Sequence, residues 1–124
     1  MKYYLCLEII EILKDTLILI GGGGHCKSCI DVIESEGRFE IAGILDLPER
    51  MGQKISGYEV IGVDADLSLL AQSHKYFFIT MGHVLSPQFR IDMLAKLEAL
   101  GVEIPVIIAP TAHVSTTARI GKGT

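Results

Sequence analysis

The sequence lacks the features that mark membrane, secreted and nucleic-acid-binding proteins. No apolar stretch reaches the roughly 20 residues of a membrane span. With 11 Lys and Arg against 15 Asp and Glu, the net charge is −4, and no basic run interleaves with aromatics, as nucleic-acid binding would need. Glu8 and Glu11 interrupt the apolar N-terminal region, which no small-residue cleavage site follows, unlike a signal peptide. We therefore expect a cytoplasmic protein with neither a membrane nor a nucleic-acid partner.

Cysteine is also scarce, and its odd count of three does not describe a disulfide framework. Two of the three, Cys26 and Cys29, form a C-x-x-C pair that follows an aliphatic run and begins a predicted helix. That is the placement of a dithiol redox site, so a thioredoxin-like oxidoreductase remains an alternative function. We expect no metal site, because Cys26, Cys29 and His25 cannot readily all face one ion and no second ligand pair follows.

The most informative feature that is present is a run of four glycines, Gly21, Gly22, Gly23 and Gly24. It follows the aliphatic residues 17–20 and precedes His25. Glycine lets the backbone turn sharply and approach a ligand closely. Where a strand leads into a helix, the first helical N–H groups are unpaired and favour an anion. The run therefore predicts a phosphate-facing loop, with a tight turn that binds nothing as the alternative.

Alternating strands and helices follow this loop. The predicted helices cover residues 26–36, 64–73 and from Ser86 to about 100, and the predicted strands cover residues 17–20, 39–46, 58–61, 76–80 and 106–108, with a loop at 48–57. Such alternation predicts an α/β fold with a mainly parallel sheet. Ligands bind beyond the carboxyl ends of such strands. We therefore expect Asp46, Gly82 and His83, which follow two strand ends, to share one crevice with the glycine run.

The two ends of the chain depart from this alternation. Residues 1–15 have apolar residues at helical spacing and are predicted to be an extension, with a docking helix as the alternative. In the tail, Val114 and Ile120 lie six residues apart among small residues, which is the period of a hexapeptide β-helix. A single turn of β-helix cannot be stable alone. We therefore expect a domain at 16–110 and the start of a truncated β-helix at 111–124 of a longer protein.

The order of these segments resembles the N-terminal half of the NeuD/PglD-type sugar acetyltransferases. The resemblance rests on residues 17–25, 31–34, 43–46 and 79–82, and on a tail that is similar to that family's transition into a left-handed β-helix. It implies a Rossmann-like domain that holds a UDP-linked amino sugar. By resemblance, Gly21–Gly24, His25, Asp46, Gly82 and His83 are the expected substrate-binding residues. The spacing departs from the dinucleotide fingerprint, since Cys26 replaces its third glycine, so NAD is a weaker expectation.

The resemblance also implies that substrate binding and catalysis lie in different parts of a longer enzyme. Family members acetylate sialic acids or UDP-linked amino sugars, including those destined for bacterial protein or pilin glycans. Their β-helix trimerises and binds acetyl-CoA, and it carries the catalytic histidine, which would lie beyond residue 124. We therefore expect no catalytic residue in this chain, no cofactor bound to it and no acetyl transfer by it alone. A full-length homotrimer is implied, with this chain a monomer or weak dimer. The alternative is a stand-alone nucleotide-binding module.

Overall fold

A five-stranded sheet organises the chain in the computed structural model, which describes residues 14–82 and 86–124. The predicted extension at 1–15 lies almost wholly outside the described residues, and Asp15 already belongs to the first strand. The elements, in chain order, are β1 (Asp15–Ile20), α1 (Gly24–Glu36), β2 (Phe39–Leu45), β3 (Lys54–Ile55), β4 (Tyr58–Gly62), α2 (Leu67–Ser73), β5 (Tyr76–Ile79) and α3 (Gln88–Ala99). Strand order is β3-β4-β2-β1-β5, and every pair is parallel except β3 with β4. The predicted Rossmann-like α/β fold is confirmed.

Strand β1 lies near the centre of the sheet and is buried on both faces. Leu17 and Leu19 join a cluster with the buried side of α1. Ile18 and Ile20 face the opposite way, into a cluster with residues of α2 and α3. All four are 0% exposed. A strand covered by helices on both faces needs apolar residues at every position, which explains the uninterrupted aliphatic run.

The helix boundaries follow local signals in the sequence. Gly37 adopts the left-handed conformation (φ 71°) just past α1, and its N–H donates to Ile33. At α3, the Ser86 hydroxyl accepts the Gln88 N–H at 3.1 Å, and the helix begins at Gln88. The predicted helix at 64–73 begins with a 3-10 turn, Asp64–Asp66, that leads into α2. No described helix is long and apolar enough to cross a membrane.

The predicted loop at 48–57 is more ordered than its polar composition suggests. It contains a 3-10 turn (Pro48–Arg50) and strand β3, which pairs antiparallel with the start of β4. Ser56 and Gly57 join the two strands with φ values of 50° and 91°. Two positive φ values in a two-residue connection are typical of the tight hairpin turn that matches strand twist. The strand was missed because only two residues pair.

The predicted strand at 106–108 is wrong. The chain bridges β5 only at Glu103, which lies opposite Tyr76. Pro105 has no N–H to donate to a ladder. Two N–H groups that follow it have acceptors outside the sheet. The Ile107 N–H donates to the Thr124 carbonyl at 2.8 Å, and the Ile108 N–H donates to a Glu36 carboxylate oxygen at 3.3 Å.

Residues 105–124 contain no helix or strand, and the described chain contains no β-helix. Three backbone turns recur six residues apart, with the N–H of Ala112, Ala118 and Thr124 each donating to the carbonyl three residues before it. The segment then closes on itself, because Gly123 donates to Pro105 at 3.2 Å. The predicted start of a β-helix at 111–124 thus stays a prediction, although the turns have its six-residue spacing.

Candidate functional site

A crevice of about 750 Å³ opens at the carboxyl edge of the sheet. The parallel strands β1, β2, β4 and β5 all end there, and the crevice is lined by the residue or two that follow each of them: Gly21, Asp46, Val63 and Met81. The crevice lies at the end of β1, which has β2 on one side and β5 on the other, so the direction of the strand order changes there. Such a switch in strand order is where parallel α/β sheets leave room for a ligand.

Gly21 makes the first turn out of β1. Its φ is +110°, and an added Cβ would lie 2.7 Å from Met81 Cβ and 2.9 Å from the Met81 nitrogen. Its N–H continues the ladder to Leu45 at 2.9 Å. The buried Thr80 hydroxyl donates to the Gly21 carbonyl at 2.6 Å. The glycine turn is therefore held between β2 and β5, and only glycine suits this position.

Gly22 brings the turn against Asp46. A Cβ at Gly22 would lie 2.6 Å from Asp46 Oδ2 and 2.6 Å from Ile55 Cδ1. The carboxylate is already engaged, because Oδ1 accepts the Leu47 N–H and Oδ2 accepts the Arg50 guanidinium, both at 2.8 Å. The sequence analysis predicts Asp46 as a substrate-binding residue; here its carboxylate also anchors the turn after β2. A carboxylate has further lone pairs, so the two roles are compatible.

The last two glycines begin α1. Gly23 is the N-cap residue, no side chain caps the helix, and its first turn has no acidic residue. Both Gly23 and Gly24 are exposed, with no atom within 4 Å of an added Cβ. The α1 N-terminus therefore offers backbone N–H groups and the positive end of its dipole without a built-in anion.

His25 lies beside the crevice rather than in its lining. Its Cβ is 3.7 Å from where a Cβ of Gly82 would lie, and its Nε2 is 3.5 Å from Cys29 Sγ. It lines a second cavity of about 310 Å³ between α1, β5 and the tail. Gly82 lines the main crevice, and His83 lies outside the described residues. Gly21, Asp46 and Gly82 thus line one crevice, as the strand ends predict, whereas His25 lines the neighbouring cavity.

The C-x-x-C pair is free and buried. Burial raises the pKa of the Cys26 thiol, more than a hydrogen bond with Thr80 lowers it. Burial also raises the pKa of Cys29, with Cys26 adding to the rise and the Arg90 charge opposing it. Reactive dithiols have lowered thiol pKa values, so the raised values argue against the oxidoreductase alternative. Within residues 14–82 and 86–124, no three His, Cys, Asp or Glu side chains are grouped to hold a metal ion.

Four residues with charged or aromatic side chains were not expected from the sequence to lie in or beside the crevice. Arg50 pairs with Asp46, while Asp64, Phe89 and Arg90 line the crevice. Phe89 is 51% exposed, and the Arg90 guanidinium donates to the Met81 carbonyl. Phe89 has the helical spacing of an apolar stripe with Met93 and Leu97, but only the latter two are buried in α3. The start of α3, which is the first element after the end of β5, was the signal that could have pointed to Phe89 and Arg90.

Comparisons with known proteins agree with this geometry. The family profile described as the PglD N-terminal domain matches residues 16–97. A mutant perosamine N-acetyltransferase from Caulobacter crescentus, solved with CoA and GDP-perosamine, is similar at 29% identity and a TM-score of 0.76, over 87% of this chain and 49% of that one. The acetyltransferase domain of PglB from Neisseria gonorrhoeae is 31% identical with a TM-score of 0.75, over 89% and 52%.

More distant similarity concerns the fold alone. RSP in complex with β-NADH is 21% identical with a TM-score of 0.53, over 82% of this chain and 50% of that one. No curated protein sequence matches significantly. The chain spans about half the length of the sugar acetyltransferase structures that it matches. Since the profile covers most of the described sheet, the chain belongs to the NeuD/PglD-type sugar acetyltransferase family, through its PglD N-terminal domain.

Proposed function

We propose that this chain is the substrate-binding part of an acetyl-CoA-dependent acetyltransferase that acts on a nucleotide-linked amino sugar. The observation that carries the proposal is the crevice at the carboxyl edge of the sheet, where the glycine turn, Asp46 and Gly82 meet. Two relatives' structures support the activity: one holds CoA with GDP-perosamine, and a PglB acetyltransferase domain holds acetyl coenzyme A.

The crevice suits a nucleoside diphosphate in size and chemistry. Its volume of about 750 Å³ lies within the range of small-molecule sites. The apolar side chains of Leu47, Pro48 and Phe89 offer a surface for a base, and Asp46 and Asp64 offer carboxylate acceptors. The exposed N-terminus of α1 offers N–H donors to phosphate. The family resemblance implies UDP as the nucleotide, whereas the matched perosamine enzyme was solved with GDP-perosamine, so both nucleotides belong in the test.

The acetyl transfer itself is assigned to the half of the relatives' length that this chain does not span. There, a sugar amine or hydroxyl would attack the thioester carbonyl of acetyl-CoA, and a histidine would take its proton as general base. The turns at residues 109–124, which repeat every six residues, support a lead-in to a β-helix. We expect this chain to bind the nucleotide sugar and to show no acetyl transfer by itself.

Isothermal titration calorimetry against UDP, GDP, UDP-linked and GDP-linked amino sugars, CMP-sialic acid and NAD tests the proposal. We expect micromolar to millimolar binding of at least one nucleoside diphosphate sugar and weaker binding of NAD. Gly22→Val is the informative variant, because its side chain would displace Asp46 and Ile55. Gly121→Ala is the matched control, since an added Cβ there meets nothing within 4 Å.

The outcomes separate the candidate functions. Loss of binding in Gly22→Val, with Gly121→Ala unchanged and both proteins folded, supports the crevice as the site. Preference for NAD, or no binding of any nucleoside diphosphate by the folded protein, would overturn the proposal. For the stand-alone nucleotide-binding module, we expect binding of nucleotide without any gain in affinity from the linked sugar.

A further inference from the structure

We infer that Arg90 is the cation that binds the diphosphate of the nucleotide sugar. The inference rests on the proposed function, which supplies the ligand class, and it adds a residue outside the glycine run. Arg90 lies two residues into α3. It lines both the main crevice and the smaller cavity that holds His25.

Charge in the crevice singles out this residue. A nucleoside diphosphate sugar carries two negative charges on its phosphates at neutral pH, while the crevice is also lined by Asp46 and Asp64. Arg90 is the only Lys or Arg among the described lining residues. Arg50, the other nearby guanidinium, is already paired with Asp46 at 2.8 Å. Without Arg90, a bound diphosphate would meet two carboxylates and no cation among the described lining residues.

Within the described part of the chain, the Arg90 guanidinium has a hydrogen-bond acceptor but no carboxylate partner. It donates to the Met81 carbonyl, a neutral acceptor, and the three ion pairs among the described residues do not include it. One hydrogen bond leaves the other N–H donors of the guanidinium available. Guanidinium groups bind phosphate oxygens through two parallel N–H bonds, which adds directional specificity.

Arg90 also lies near the first turns of α1, because it lines the smaller cavity together with His25 and Cys29. Its positive charge reaches Cys29 of α1, where it opposes the rise in thiol pKa caused by burial. Cys29 lies one turn beyond His25, which is the second residue of α1. The Arg90 side chain from α3 and the first turns of α1 therefore border the same cavity, so a diphosphate bound there would contact both.

The test compares ligands with and without phosphate. Wild-type protein, Arg90→Gln, Arg90→Lys and the control Lys96→Gln, which removes the same charge from an exposed position on the same helix, are titrated with GDP and UDP by calorimetry. Guanosine and uridine are titrated by chemical-shift perturbation. Hydrogen bonds to charged groups contribute enough to predict a loss of about 10- to 100-fold in diphosphate affinity for Arg90→Gln. Nucleoside affinity should not change.

Arg90→Lys should keep part of the affinity, because it retains the charge and loses the paired donors. The wild-type affinity should fall more steeply with salt than that of Arg90→Gln. Equal diphosphate affinity in wild type and Arg90→Gln would overturn the inference and leave the proposed function intact. An equal loss for nucleosides and diphosphates would also overturn it, since that outcome indicates a change of crevice shape. Folded wild-type protein that binds neither GDP nor UDP would overturn both.

Discussion

The carboxyl edge of the sheet and the tail at 105–124 are both rich in glycine and small polar residues, yet they are held in place differently. At the sheet edge, Gly21, Gly22 and Thr80 are buried and joined to three strands. In the tail, every residue from 110 to 119 is exposed, and closure depends on a few backbone hydrogen bonds. The same residue types thus form a buried turn where a core packs against them and an exposed surface where none does.

The largest expected effect is at the glycine turn. Gly21→Ala places a Cβ 2.9 Å from the Met81 nitrogen at a φ of +110°, where a non-glycine residue is strained. We expect it to lower the free energy of unfolding by about 2–4 kcal/mol, measured by urea denaturation. Gly121→Ala in the tail should change stability by less than about 0.5 kcal/mol. Similar effects at the two positions would contradict the contrast between the regions.

A smaller loss is expected from Thr80→Val. The hydroxyl that donates to Gly21 at 2.6 Å disappears, and a buried carbonyl is left without this donor. The expected cost is about 1–3 kcal/mol, also by urea denaturation, and Thr80→Ser should recover part of it because the hydroxyl is kept. If Val and Ser variants were equally stable, the hydrogen bond would not be what holds the turn.

The next effect in size is a dependence of folding stability on pH, which only the sheet region should cause. Burial raises the pKa of Cys26 and Cys29 above the ordinary thiol value of 9.0. The folded state therefore favours the neutral thiols, and their contribution to stability is complete below that value and is lost as pH rises through the folded-state pKa. The thiols should therefore leave the urea midpoint of unfolding unchanged between pH 7 and 8.5, and the midpoint should fall above pH 9.

The double variant Cys26→Ala, Cys29→Ala is the control for this pH effect. It should be less stable at neutral pH, because both thiols pack in the core, but should show a shallower decline above pH 9. In the wild type, labelling by a thiol reagent under native conditions should be slower than in urea. A wild-type decline identical to that of the double variant would show that the thiols do not cause it.

The smallest effect is expected in the tail. Lys122 and Glu98 form an ion pair at 2.8 Å, with side chains 58% and 47% exposed. Exposed pairs contribute little, so Lys122→Ala should cost less than about 0.5 kcal/mol. Thermal unfolding in low and high salt measures it. A loss above 1 kcal/mol would show that the tail is tied to α3 more firmly than its exposure suggests.

Much of the fold could be predicted because its signals are local. The aliphatic run of β1, Gly37 after α1 and the alternation of elements each follow from the residues nearby. The presence of strand β3 and the absence of a strand at 106–108 could not be predicted, because both depend on hydrogen-bond partners elsewhere in the chain. Pairing of Lys54 and Ile55 needs β4 beside them, and Ile107 donates instead to Thr124, far along the chain.

The site was predictable in position and less so in detail. Parallel strands bring their carboxyl ends together, so the meeting of Gly21, Asp46 and Gly82 follows from the element order. The pairing of Asp46 with Arg50 and the place of Arg90 depend on side-chain packing across the crevice. No spacing rule in the sequence specifies such contacts, since the two arginines lie on different elements.

The close approach of Gly22 to Asp46 has an evolutionary consequence. An added methyl at position 22 would lie 2.6 Å from the Asp46 carboxylate, so the two positions cannot vary independently. Among related sequences, we expect a side chain at 22 only where position 46 has become smaller or its turn has shifted. Such covariation would join two segments separated by a whole helix and strand, and an alignment of homologues would reveal it without any biochemical measurement.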